Sequence, residues 1–152
     1  MALHQISFFI LPKESFRSVS KSDKFEFGDE YLFDDSAFWL AKNISPTFFE
    51  PISKILLRGK SWSENILLFG NENSNRVEVF FEKDIVKSVT FRIDFISEYE
   101  IILNKLIEFF ILNELTILNS DLEILPLNFE VIKSFIEDSV QIVTYRRLSK
   151  GK

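Results

Sequence analysis

Cysteine is absent from this chain and histidine occurs once, at position 4. The first absence excludes disulfides, thiol nucleophiles, Cys-ligated zinc and iron–sulfur clusters. The second excludes a two-histidine metal site and leaves His4 as a strand-end residue. Glycine is scarce too, and Gly28, Gly59, Gly70 and Gly151 stand alone, so there is no glycine-rich phosphate loop. The most apolar stretch, residues 101–112, is interrupted by Asn104, Lys105 and Glu108, which is too short and too polar to cross a bilayer. Residues 1–11 have no basic start and no small-residue cleavage site, so the expectation is a cytoplasmic protein that does not engage membranes. Basic charge is also short. With 18 Lys and Arg against 23 Asp and Glu the net charge is -5, which offers no footprint for nucleic acid.

What is present in excess is phenylalanine, 18 in 152 residues. Codon bias in an AT-rich genome explains that, and so does a Phe-lined ligand pocket; the sequence leaves both open. At this length one domain, residues 1–152, is expected, burying roughly 70% of the unfolded surface. Its end, with Arg146, Arg147, Lys150 and Lys152, reads as a frayed basic tail.

Residues 76–95 organise the rest. Val77, Val79 and Phe81, then Val89, Phe91, Ile93 and Phe95, alternate with Arg76, Glu78, Phe80 and Glu82, then Ser88, Thr90, Arg92 and Asp94. Period-2 alternation on both arms predicts a hairpin turning at Lys83-Asp84, one face covered and the other wet. A strand at residues 66–69 would complete a three-stranded meander, and residues 5–11, closed by Pro12, read as another strand.

After Phe95 the period becomes helical. Ser97 and Glu100 have the spacing of a capping box for a helix reaching about Asn113 and buried on much of its surface. Residues 115–118 and 122–125 flank a hairpin turn, and Asn128 caps a further helix with Leu127 and Ile132 as its staple. Residues 141–147 alternate and predict a last edge strand. Earlier, Ser45-Pro46 reads as a helix start, and Trp39 points inward from a short element. The sum is α+β, a mostly antiparallel sheet with a central meander, covered on one face by two helices.

Two places invite a functional reading. Residues 23–35 hold six acids among Phe25, Phe27, Tyr31, Leu32 and Phe33, so Asp29, Glu30, Tyr31, Asp34 and Asp35 are candidates for meeting a basic protein partner. On the wet face of the hairpin, Arg92 and Asp94 are candidates for a polar site or an interface. Stabilising surface ion pairs between adjacent strands are the simpler explanation of that face. No calcium loop, nucleophile elbow or cofactor motif occurs, so the sequence predicts no metal, no cofactor and no enzyme.

Trp62, Ile66 and Gly70, then Asn75-Arg76-Val77-Glu78-Val79 and Arg92-Ile93-Asp94-Phe95, resemble a family of small uncharacterised bacterial proteins over residues 60–147. Some proteins of this appearance resemble the immunity proteins that accompany bacterial toxins. The resemblance implies a non-catalytic domain that binds another protein, with toxin neutralisation its most specific form. A small-molecule-binding or regulatory domain using the Phe-rich interior is the alternative.

Overall fold

The computed structural model describes residues 4–15 and 34–150. They form a six-stranded sheet ordered β2-β3-β4-β1-β5-β6, every neighbouring pair antiparallel. The strands are β1 (Gln5–Pro12), β2 (Ile66–Gly70), β3 (Arg76–Glu82), β4 (Ile85–Asp94), β5 (Leu115–Leu118) and β6 (Ile124–Leu125). Between them lie α1 (Ser36–Lys42), a 3-10 helix (Pro46–Lys54), α2 (Glu100–Leu112), α3 (Phe129–Glu137) and α4 (Val140–Lys150). The α+β class and the β2-β3-β4 meander follow the alternation of the sequence.

The hairpin between β3 and β4 turns on Lys83 and Asp84, both at positive φ, 51° and 62°. Such a two-residue turn matches the twist of the strands it joins. Alternation alone would set Val86 and Val89 on opposite faces, yet both are buried in the same core. The register explains this: Phe80 faces Ser88 and Phe81 faces Val86, so Lys87 is an extra residue and the strand bulges there.

Phenylalanines fill the main core ring against ring. Phe8 stacks on Phe91 at 4.7 Å between centroids, and Phe91 meets Phe110 of α2 at 5.3 Å. Trp39 meets Phe49 of the 3-10 helix at 5.6 Å, and Phe49 lies 6.2 Å from Phe109. The cover over this face therefore includes the 3-10 helix and Ile142 of α4 besides the two helices the sequence predicts. Tyr99 ties the helices together, donating to Glu137 at 2.9 Å while Arg146 holds the other carboxylate oxygen at 2.7 Å. On the opposite face Leu11, Phe38 and Leu118 make a smaller cluster.

Six expectations need correction, five of them in the fold and the sixth at Asp35. Residues 141–147 are helical, not an edge strand, because Ser139 caps α4 through its hydroxyl to the Ile142 N–H at 3.2 Å, and Tyr145 packs on Phe95 at 5.8 Å. The basic residues up to Lys150 belong to that helix instead of a frayed tail. No capping box forms before α2: Ser97 Oγ donates to the Asp94 carbonyl at 2.6 Å, and the N-cap position, Tyr99, makes no side-chain cap. Helix α2 is also less enclosed than its composition predicts, with Ile101, Ile111 and Leu112 in water. The fifth, the wet face at Arg92 and Asp94, is taken up with the site below. By contrast Ser45 does cap the 3-10 helix and Asn128 caps α3, accepting from Val131 N–H at 3.1 Å.

Candidate partner-binding surface

Arg92 and Asp94 face away from the main core, as alternation predicts, but they are not wet. They are 7% and 6% exposed because the connection between β2 and β3, residues 71–75, folds over them. The Arg92 guanidinium donates to the Ser74 carbonyl at 2.9 and 3.1 Å, to Asn71 O at 3.4 Å and to Glu72 O. Asp94 accepts from Ser74 Oγ at 3.1 Å and stands 2.9 Å from His4 Nδ1. Asn75 completes the lattice: its Oδ1 accepts from Asp94 N–H at 2.7 Å and its Nδ2 donates to Ser97 Oγ at 2.8 Å. Burial, more than the repulsion of Arg76, lowers the Arg92 pKa, and the loop carbonyls absorb its donors. These side chains hold a loop in place and have little capacity left for a substrate or a partner. The Asn-Arg and Arg-x-Asp motifs thus have a structural explanation within this chain. Gly70 has one as well, because at φ 96° an added Cβ would collide with the Asn75 carbonyl oxygen.

The acidic segment divides. Asp29, Glu30 and Tyr31 lie outside the described residues. Asp34 is exposed and accepts from the Ser36 N–H at 3.0 Å and hydroxyl at 2.6 Å, bonds that lower its pKa. Asp35 is buried, so it is not open to the basic protein partner for which the sequence makes it a candidate. Its carboxyl accepts from Ser88 Oγ at 2.8 Å and from the Val89 N–H, and burial pushes its pKa up to about 6. One turn along α1, the Trp39 indole donates to the Ile10 carbonyl at 3.0 Å. Ile10 and Val89 are the last paired residues of β1 and β4, so Asp35 and Trp39 take up ladder groups where those strands part. Substituting lysine at Asp35 would bury an unpaired charge, so this residue cannot be an exchangeable steering charge.

The surface that is open lies elsewhere, along residues 57–64. Gly59 N–H donates to Leu68 O at 2.8 Å and Gly70 N–H to Leu57 O at 2.7 Å, so the chain runs as a short extra strand along the outer edge of β2. Ser61 Oγ sits within hydrogen-bond reach of the Ser63 and Ile66 carbonyls and fixes the turn that follows. Although the backbone is so restrained, Leu57 is 83% exposed and Trp62 78% exposed. Beside them is a cleft of about 420 Å³ lined by Arg58, Lys60, Trp62 and Glu64 among others. Arg58 lies over the Phe69 ring at 5.9 Å and reaches Glu50 at 3.5 Å. The sequence singles out Trp62 only within the family resemblance and not as a binding residue; the isolated Trp in a Ser, Gly and Lys context is the signal that could have found it.

Among the described residues no group of three or more His, Asp or Glu is placed to hold a metal ion, and no helix is long and apolar enough to cross a membrane. Comparison with known proteins leaves this surface to be read on its own geometry, since no family model, no curated protein and no solved structure matches the chain.

Proposed function

We propose that this protein is a non-catalytic domain that acts by binding another protein, with Leu57 and Trp62 as its anchors and neutralisation of a bacterial toxin as the most specific form of that role. The observation that carries the reading is Trp62, an indole held almost fully in water on a backbone tied to the β2 edge. A large exposed apolar side chain with no packing role is a cost in an isolated chain. Buried in a partner, an aromatic of about 200 Å² yields several kcal/mol, and a restrained loop loses little entropy on docking. Trp and Arg side by side are also the residue types that dominate interface energetics. The alternative of a ligand pocket inside the Phe-rich core has less support, because those rings pack on one another.

The test is a binding measurement with the partner recovered from native cells or supplied by the neighbouring gene. Trp62→Ala should leave the unfolding free energy within about 0.5 kcal/mol and weaken binding at least about tenfold. Undiminished affinity in the Trp62→Ala, Leu57→Ser double variant would overturn the reading.

A further inference from the structure

The strip of residues 57–60 that borders β2 uses only one side of its backbone. Gly59 donates its N–H to Leu68 and Leu57 accepts from the Gly70 N–H, which sets Arg58 opposite Phe69 between the two bonds. Backbone groups of successive residues alternate in direction along such a pair, so the N–H and C=O of Arg58 and the N–H of Lys60 point away from β2. Among the described residues these outward groups have no hydrogen-bond partner. The strip is also open to water: Leu57 is 83% exposed, Arg58 and Lys60 are exposed and Gly59 is half-buried. Arg58, Gly59, Lys60 and Trp62 all line the cleft of about 420 Å³.

Side-chain chemistry narrows the occupant. Arg58 lies over the Phe69 ring and shares that face with Lys60, two residues on, while Leu57 takes the other face. Arg58 meets Glu50 at 3.5 Å with both side chains about half exposed, and Lys60 has no ionic partner among the described residues. In the lining of the cleft these two cations outnumber Glu64. A second copy of the strip is therefore a poor occupant. Every antiparallel register that joins the outward groups sets Arg58 or Lys60 opposite Arg58 or Lys60, and like charges directly opposite are destabilising.

Resting on the reading of this surface as an interface, we propose that its partner engages it with an extended segment alternating acidic and apolar residues, which adds as a strand along residues 57–60. The open edge is about 13 Å long at about 3.3 Å per residue, and its outward backbone groups are those that strand addition uses. Acids opposite Arg58 and Lys60 meet the charge and steer the approach. The apolar residue between them, opposite Gly59, falls on the Leu57 face and covers that side chain.

A capped pentapeptide alternating glutamate and valine is the probe, titrated into the isotopically labelled full chain. Amide shifts should centre on Arg58, Gly59 and Lys60, and exchange of the Arg58 and Lys60 N–H groups with solvent should slow as the peptide saturates. The lysine-valine peptide, and the glutamate-valine peptide N-methylated at its glutamates, should each bind at least about tenfold more weakly, the first for its charge and the second for its lost backbone donors. Arg58→Gln with Lys60→Gln should weaken the glutamate-valine peptide about tenfold and keep the fold, because both side chains are exposed. Absence of binding at millimolar peptide, equal binding of either control peptide, or shifts centred away from residues 57–62 would each overturn strand addition. The two readings fail separately: the peptides test the strand site, and the affinity of the Trp62→Ala, Leu57→Ser variant for the native partner tests the anchors.

Discussion

Asp35 stands in for a piece of the sheet and carries an ionisable group into a place where a peptide would normally sit. Its pKa rises from an ordinary 3.8 to about 6 because burial disfavours the charge more than its hydrogen bonds favour it. Below about pH 4 the group is protonated in the folded and the unfolded chain alike. Between about pH 4 and 6 the unfolded chain releases the proton while the folded chain keeps it, so this group's contribution to stability falls as pH rises. The loss is complete above pH 6 and amounts to at most about 3 kcal/mol. Asp35→Asn removes the ionisation, so urea unfolding at pH 4 and pH 7 should show wild type losing ground to the variant across that interval. Parallel stability curves would contradict the assignment. Sequence alone could not place this residue. An acid among acids reads as surface charge, and only the parting of β1 and β4 makes a buried acceptor useful. Arg92 and Asp94 were misplaced for a related reason: alternation reports which face a side chain takes, not whether a loop from elsewhere then covers it.

At the level of elements, the legible parts were those where local pattern and tertiary demand agree. The β3-β4 hairpin has alternation and β-branched residues, so the buried face could be read at Val77, Val79, Val89, Phe91 and Ile93, though not at Val86, which the bulge at Lys87 brings into the same core. Phe91 is the sharpest test of that face. Stacked on Phe8 and packed at a tilt against Phe110, Phe91 should cost about 3 to 5 kcal/mol in unfolding free energy when replaced by Ala, and a loss under about 1 kcal/mol would mean the face is wrongly assigned. Helix α4 shows the opposite case. Residues 141–147 have the β-branched and aromatic composition of a strand, yet Ile142 and Tyr145 are three apart and both turn towards the core, with Ser139 supplying the cap. Propensity is a weak prior, and packing against Phe95 overrode it. Before α2, Ser97 and Glu100 had capping-box spacing, but the Ser97 hydroxyl was already committed to Asp94 and Asn75.

For the molecule as a whole, the order of strands in space departs from their order in the chain. The first strand sits between β4 and β5, whose pairing residues follow it by roughly a hundred positions. Closing such long-range pairs is slow, and until β1 arrives the later strands lack their central member. The outer margins of the sheet matter most during that interval. On one side β6 is only two residues long; on the other, residues 57–59 seal β2 by bonding to Leu68 and Gly70. That seal depends on Gly59, where a Cβ would come within 2.7 Å of the Gly70 carbonyl oxygen. Gly59→Val should force the strip away from β2 and uncover Ile66, Leu67, Leu68 and Phe69, a contiguous β-prone, uncharged run of the kind that templates fibril growth. Light scattering and thioflavin fluorescence at 37 °C should then rise in the variant and stay flat in the wild type. A single glycine would thereby govern whether this Phe- and Ile-rich chain remains a monodisperse protein or becomes an amyloid seed.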